Sequence, residues 1–220
     1  MMKTYKILSA LLGYPDVETL AYAEAMPEIL RQENLLPAEQ QAAVGKFATT
    51  LARYNLLDLQ EQYVALFDRN RSLSLHLYEH VHGESRDRGE AMVQLSELYH
   101  LHGLEISARE LPDYLPLFLE FLSLLPAGAA ASLLSEAVHV VAALREKLRQ
   151  RGSDYALLLE AIESLAAKAP DVAAVAEVLS TLQPEADGLA ALDRQWEEEA
   201  VRFTAAPRPD GTGAASACGR

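Results

Sequence analysis

Read by the spacing of its apolar residues, the chain is a succession of helices. Tyr5, Leu8, Leu11 and Leu12 share one face of a helix over about 4–12. Gly13-Tyr-Pro-Asp16 ends it and caps the next, which Val17, Leu20, Ala21 and Glu24 carry to about 26. Pro37 opens a third at its first position, and Val44, Phe47, Ala48 and Leu51 keep helical spacing toward 54. Asp58 is the expected cap of 59–67, and Asp87 that of 88–102, which would bury Met92, Leu95, Leu98 and Tyr99 and close at Gly103. Pro112-Asp113 open a helix to about 125, with Pro116 in its first turn. A long helix over 129–151 ends at Gly152, Ser153 or Asp154 caps another to 168, and Pro170-Asp171 open the last, to about 182.

No segment alternates strictly with period two, no hairpin dipeptide sits between strand-like runs, and no repeat of fixed period occurs. The expected fold is therefore all-α: a single-domain helical bundle with short loops over 1–183. From Pro184 the composition changes. Acids crowd together, and then Pro, Gly and Ala close the chain, so 184–220 is expected to be a disordered tail in which Leu189, Leu192 and Trp196 can form at most a short docking helix.

Two apolar stretches imitate targeting signals. Lys3 and Lys6 precede a short apolar run, but Tyr14-Pro15-Asp16 interrupts it, which reads as a first helix rather than a signal peptide. The run 121–144 has the length of a membrane span. It contains Pro126, Gly128, Glu136 and His139, and a central acid costs about 2.5–3.5 kcal/mol on insertion. Two buried helices joined at Pro126-Ala-Gly128 are expected instead.

Charge narrows the function classes. Asp and Glu number 32 against 19 Lys and Arg, for a net charge of -13. A nucleic-acid binder needs a basic face, so the charge argues against that class, and it is compatible with attracting a basic partner. The single cysteine, Cys218, excludes an internal disulfide framework and fits a reducing compartment.

The densest polar chemistry lies in 63–123, which holds five of the six histidines. His76 and His80 are spaced i, i+4 with His82 close behind, a spacing that invites a metal and, as an alternative function, a metal-dependent hydrolase. The zinc-protease pattern and a completing ligand set are missing, so these histidines are read as bonded to loop backbone and to Glu79 or Glu84, with no metal and no cofactor expected. His100 and His102 fall on different faces of a helix. Glu84 or Asp87 with a histidine could in principle do acid–base work, but no nucleophile triad or phosphate loop accompanies them. Arg86 and Arg88 are expected to pair with Glu84 and Glu90 around the Asp87 cap. In 111–123 only Asp113 and Tyr114 are expected to face a partner, the rest reading as a buried helix.

The stretches LSLHLYEHVHGESRDRGEAM and ELPDYLPLFLEFL resemble the assembly chaperones of respiratory nitrate reductase, the NarJ proteins, within the wider TorD/DmsD group of redox-enzyme maturation chaperones. The likeness runs from the Leu11-Leu-Gly-Tyr-Pro15 start to about residue 125. The first motif is specific to the nitrate reductase branch. In the second, an acidic residue followed by His is common across the group; here Asp113 is followed by Tyr114, so only the acid carries over. The resemblance implies an all-helical, non-catalytic cytoplasmic protein without a cofactor of its own. It would bind the N-terminal segment of the apo catalytic subunit of nitrate reductase, assist molybdenum cofactor insertion, and leave before the mature enzyme forms. The candidate contact residues lie on these two motifs: His76, Tyr78, Glu79, His80, His82, Glu84, Arg86, Asp87 and Arg88 in the first, with Glu110, Asp113 and Tyr114 in the second.

Overall fold

The structure, a computed structural model, describes residues 1–82, 86–106 and 110–182, excepting the side chain of His82. The expectations for Glu84 and for the tail from Pro184, with its Leu189, Leu192 and Trp196, lie outside the described residues. Among the described residues the helices are α1 (Lys3–Leu12), α2 (Val17–Tyr22), α3 (Met26–Glu33), α4 (Ala38–Leu51), α5 (Leu56–Tyr63), α6 (Leu77–His82), α7 (Arg86–Leu101), α8 (Leu115–Leu124), α9 (Ala127–Gln150), α10 (Ala156–Ser164) and α11 (Val172–Thr181). A π-helical turn, Val64–Asp68, continues α5, and a 3-10 turn, Arg71–Leu73, follows it. No strand occurs among the described residues, so the fold is all-α.

Helix α8 is apolar nearly all round, and the fold encloses it accordingly. Leu115, Pro116, Phe118, Leu119, Phe121 and Leu122 are all buried. It lies along α1, which presents Tyr5, Leu8, Leu11 and Leu12, and against the long α9. Helix α9 in turn carries α10 and α11. It is long and apolar enough to cross a membrane, yet Leu134, Val138, Val141, Leu144 and Leu148 along it are buried within the protein. The apolar run 121–144 is thus divided between α8 and α9, with Pro126 capping the second.

Several element boundaries differ from the sequence expectation, each for a local reason. The second expected helix stops at Tyr22, and α3, which the pattern had not separated, begins at Met26 with Pro27 in its first turn. Pro37 sits at the N-cap rather than the first helical position. Asn55, not Asp58, caps α5 by accepting from the Leu57 N–H at 2.9 Å, which leaves Asp58 in the first turn. Helix α7 begins at Arg86, so Asp87 is a first-turn residue and not a cap, and of the four expected core residues only Leu95 and Tyr99 are fully buried. Helix α8 begins at Leu115 instead of Pro112-Asp113. Helix α10 starts at Ala156 without a side-chain cap and ends at Ser164, short of 168. Asp16 and Asp171 cap as expected, accepting from the N–H groups of Thr19 at 2.6 Å and Ala174 at 3.0 Å. Gly103, at φ 75°, ends α7 as expected: its N–H reaches the His100 carbonyl and that of Leu104 the Tyr99 carbonyl.

One cap spans the fold instead of the local chain. The Glu33 carboxylate, at the end of α3, accepts from the N–H groups of Lys3 (2.8 Å) and Thr4 (2.5 Å) and from the Thr4 hydroxyl (2.6 Å). It serves the orphan donors of α1 and meets the positive end of the helix dipole. Glu33→Ala is expected to lower the unfolding free energy by about 1–2 kcal/mol in urea titrations. Asp58→Ala, at the site expected to be a cap, should change it by less than about 0.5 kcal/mol.

Candidate functional site

The two motifs meet through a short stretch of extended chain. Residues 72–75 are all buried, and His76 is half-buried between the buried Leu75 and Leu77, so no period-two alternation marks this extended stretch in the sequence. The Leu77 N–H donates to the Asp113 carbonyl (3.0 Å) and the Leu115 N–H to the Leu75 carbonyl (2.8 Å), which sets His76 opposite Tyr114 in an antiparallel bridge. This bridge, and not helix–helix packing, joins the histidine-rich segment to the start of α8.

Beneath it lies Asp113, with no exposed surface. Its carboxylate accepts from the Tyr78 N–H at 3.1 Å, at the start of α6. It also accepts from His76 Nδ1 at 3.3 Å and stands 3.9 Å from the Arg88 guanidinium of α7. Arg88 is itself only 20% exposed, and its Nε has no hydrogen-bond partner among the described residues. A buried charge persists only when paired, so this carboxylate ties the extended segment, α6 and α7 to one point. The expectation that Asp113 opens a helix and faces a partner is overturned, because the side chain points inward.

The histidines do not converge. His80 is 6% exposed and its Nε2–H donates to the Ser74 carbonyl at 2.6 Å, holding the turn before the bridge. Burial pushes its pKa down, against the opposing pull of that hydrogen bond. His102 donates to the Leu98 carbonyl at 2.9 Å and lies edge-on to Phe121. His76 and His80 thus have different partners, and among the described residues no three His, Cys, Asp or Glu side chains gather as metal donors. Arg86 stands 3.8 Å from Glu90 on the surface, as expected of a solvated pair, and Asp87 is exposed beside it. Arg88 departs from the expected surface pairing by turning to Asp113.

Above Asp113 opens a cavity of about 620 Å³, lined in part by His76, Glu79, Arg88 and Tyr114 from the expected set. The sequence reading had not singled out its other chemistry: Tyr63 and Phe67 at the end of α5, Asp68 after them, and Arg71, whose Nε donates to Glu79 at 2.8 Å. The signal was the charged run after Phe67, within the polar stretch but ahead of the histidines. The Tyr63 hydroxyl donates to the Leu12 carbonyl (3.1 Å) and so accepts from the Tyr114 hydroxyl (3.0 Å). Burial raises both phenols above their ordinary value, so each stays a neutral donor.

Tyr114 also walls a second hollow. A groove of about 680 Å³ runs between α1, α2, α3 and α8, floored by Ile7, Ala10, Met26, Ile29 and Leu117. Tyr14 and Tyr22 stand exposed at its side, and Asp16, Glu18, Glu110 and Glu120 outnumber Lys3 and Lys6 at its rim. Glu110 and Tyr114 of the expected set therefore belong to the groove, while Tyr78 packs on the core and lines neither hollow.

Asp113→Ala is expected to cost on the order of 3 kcal/mol, because Arg88 and the Tyr78 N–H lose their acceptor in a buried place. Asp87→Ala should cost about 0.3 kcal/mol, the worth of an exposed first-turn charge. The pH dependence has a definite sign at His80. Below its ordinary value of 6.5 the unfolded chain takes up a proton that the folded chain refuses. Stability is thus fully present above that value and falls as pH drops toward the lower folded value. His80→Gln should flatten that part of a urea-stability profile measured between about pH 5 and pH 8.

Comparison with known proteins agrees with the motifs. Residues 33–161 match the family described as nitrate reductase delta subunit. The chain is 45% identical over 199 residues to the nitrate reductase molybdenum cofactor assembly chaperone NarJ of Escherichia coli K12, covering 90% of this chain and 84% of the relative. It is 38% identical to the probable assembly chaperone NarW of the same organism, over 92% of this chain and 84% of that one. The probable NarJ of Bacillus subtilis is 31% identical over 72% of this chain and 85% of its own length. A family match across more than half the chain and these identities over most of it lead to one conclusion: the chain belongs to the nitrate reductase molybdenum cofactor assembly chaperones.

Proposed function

We propose that this protein binds the N-terminal segment of the catalytic subunit of a respiratory nitrate reductase as an amphipathic helix. It holds the subunit on the cytoplasmic side, before membrane assembly, in a state competent for molybdenum cofactor insertion. The cofactor is cargo of the client, and the chaperone performs no catalysis on it. The observation that carries this reading is the apolar groove with an acidic rim beside Tyr114, in a chain of this family. A helix laid along α1 and α8 buries its apolar face on Ile7, Met26, Ile29 and Leu117 while its basic residues meet Asp16, Glu18, Glu110 and Glu120. The hydrolase alternative gains nothing from the geometry, since His76 and His80 are engaged elsewhere, nor from the relatives.

Apolar burial supplies most of the affinity in this mechanism, and the acidic rim chiefly steers encounter and orientation. Calorimetry and stopped-flow mixing with the N-terminal peptide of a nitrate reductase catalytic subunit test it. Binding should survive a rise in salt to ~0.5 M while association slows, because screening shortens the reach of the charges. Leu117→Ser should weaken binding about tenfold, the loss of part of one apolar anchor. No binding at tens of micromolar, or a Kd untouched by Leu117→Ser, would show that the client lies elsewhere.

A further inference from the structure

The polar cavity and the apolar groove share one lining residue, Tyr114. Tyr14, on the groove side, stacks edge-on against Tyr63, on the cavity side, with ring centroids 5.6 Å apart. A helix in the groove therefore passes beside the cavity mouth. Inside, the charges are unevenly matched. Arg71 is joined to Glu79 and Arg88 is turned to Asp113. Asp68 is exposed, lines the same cavity, and has no hydrogen bond or ion pair among the described residues. Leaving His76 aside, the described lining residues together with Asp113 carry one more carboxylate than guanidinium.

The rings near that free carboxylate are Tyr63, Phe67 and Tyr114. Tyr63 and Phe67 pack at 4.8 Å, and both line the same cavity as Asp68 and Tyr114. Electron-rich ring faces and an unpaired carboxylate together favour a flat or compact cation over an anion.

We propose that this cavity is a subsite for one basic side chain of the client helix, held between Asp68 and the Tyr63–Phe67–Tyr114 rings, and that it sets the register of the helix in the groove. The proposal rests on the peptide-binding reading above and adds a specificity-determining residue, Asp68, to it. The apolar groove supplies affinity along its length, but by itself tolerates slippage. A single cation pocket at one end distinguishes a client whose basic residue falls at the right turn of the helix from one whose basic residue does not.

The test is a double-mutant cycle by calorimetry. The probe is the N-terminal peptide of the nitrate reductase catalytic subunit, with each Arg replaced in turn by citrulline and each Lys by Gln. Asp68→Asn should weaken the unaltered peptide about fivefold, and Asp68→Glu should bind within about twofold of the native chaperone. One peptide replacement should be non-additive with Asp68→Asn, and the others additive. Urea midpoints of both variants should match the native protein, since Asp68 makes no fold contact through its carboxylate. Additivity at every peptide position would overturn the proposal, as would tighter binding by Asp68→Asn with inorganic phosphate competing, which would make the cavity an anion site. If the unaltered peptide does not bind the native protein at all, it is the peptide-binding reading that fails.

Discussion

A fully buried carboxylate governs how the two motif segments of this protein are assembled. Asp113 has no exposed surface, so its charge depends on protein donors. Those donors come from three places: the backbone at the start of α6, the ring of His76 and the guanidinium of Arg88 on α7. Helix α7 has few deeply buried apolar residues to hold it, chiefly Leu95 and Tyr99. The attraction between Arg88 and Asp113 therefore matters more to its placement than an ion pair would on a well-packed helix. The long separation of 3.9 Å and the unpartnered Arg88 Nε make this the least saturated part of the network.

Next to this polar point the protein keeps an apolar one. The Tyr14, Tyr63 and Tyr114 rings divide the polar cavity from the groove along α1 and α8. Each hydroxyl of the Tyr63–Tyr114 pair is satisfied within the wall, which lets polar atoms sit between two hollows of opposite character without an unpaired donor. The proposed client helix, with one apolar face and a few basic residues, would use both hollows. The net charge of -13 surrounds them with a field that attracts such a segment from a distance.

The histidines illustrate how sequence patterns can suggest more chemistry than a fold delivers. His76 and His80 have the spacing of a helix-borne ligand pair, but His76 lies in the extended segment ahead of α6 and only His80 is on the helix. Their rings then go to Asp113 and to the Ser74 carbonyl. Both serve as donors that hold a turn. The same lesson applies to Asp113 itself, whose position beside Pro112 imitates a helix start while its side chain is turned to the interior.

The order of amphipathic and apolar segments was enough to determine an all-helical protein, the burial of α8 and the division of the apolar run at Pro126, because helical periodicity, proline and glycine act within a few residues of themselves. The caps at Asp16 and Asp171 and the Gly103 terminus were legible for the same reason. The motif stretch also contained most of the candidate site, down to His76, Glu79, Arg88 and Tyr114. What lay beyond it were interactions between residues far apart in the chain. Glu33 capping α1, Arg88 reaching inward to Asp113, and Tyr63 bonding to Tyr114 at the cavity wall depend on where helices come to rest against one another. No local preference records that, since it is decided by which buried faces pack and which buried charges must then find a partner.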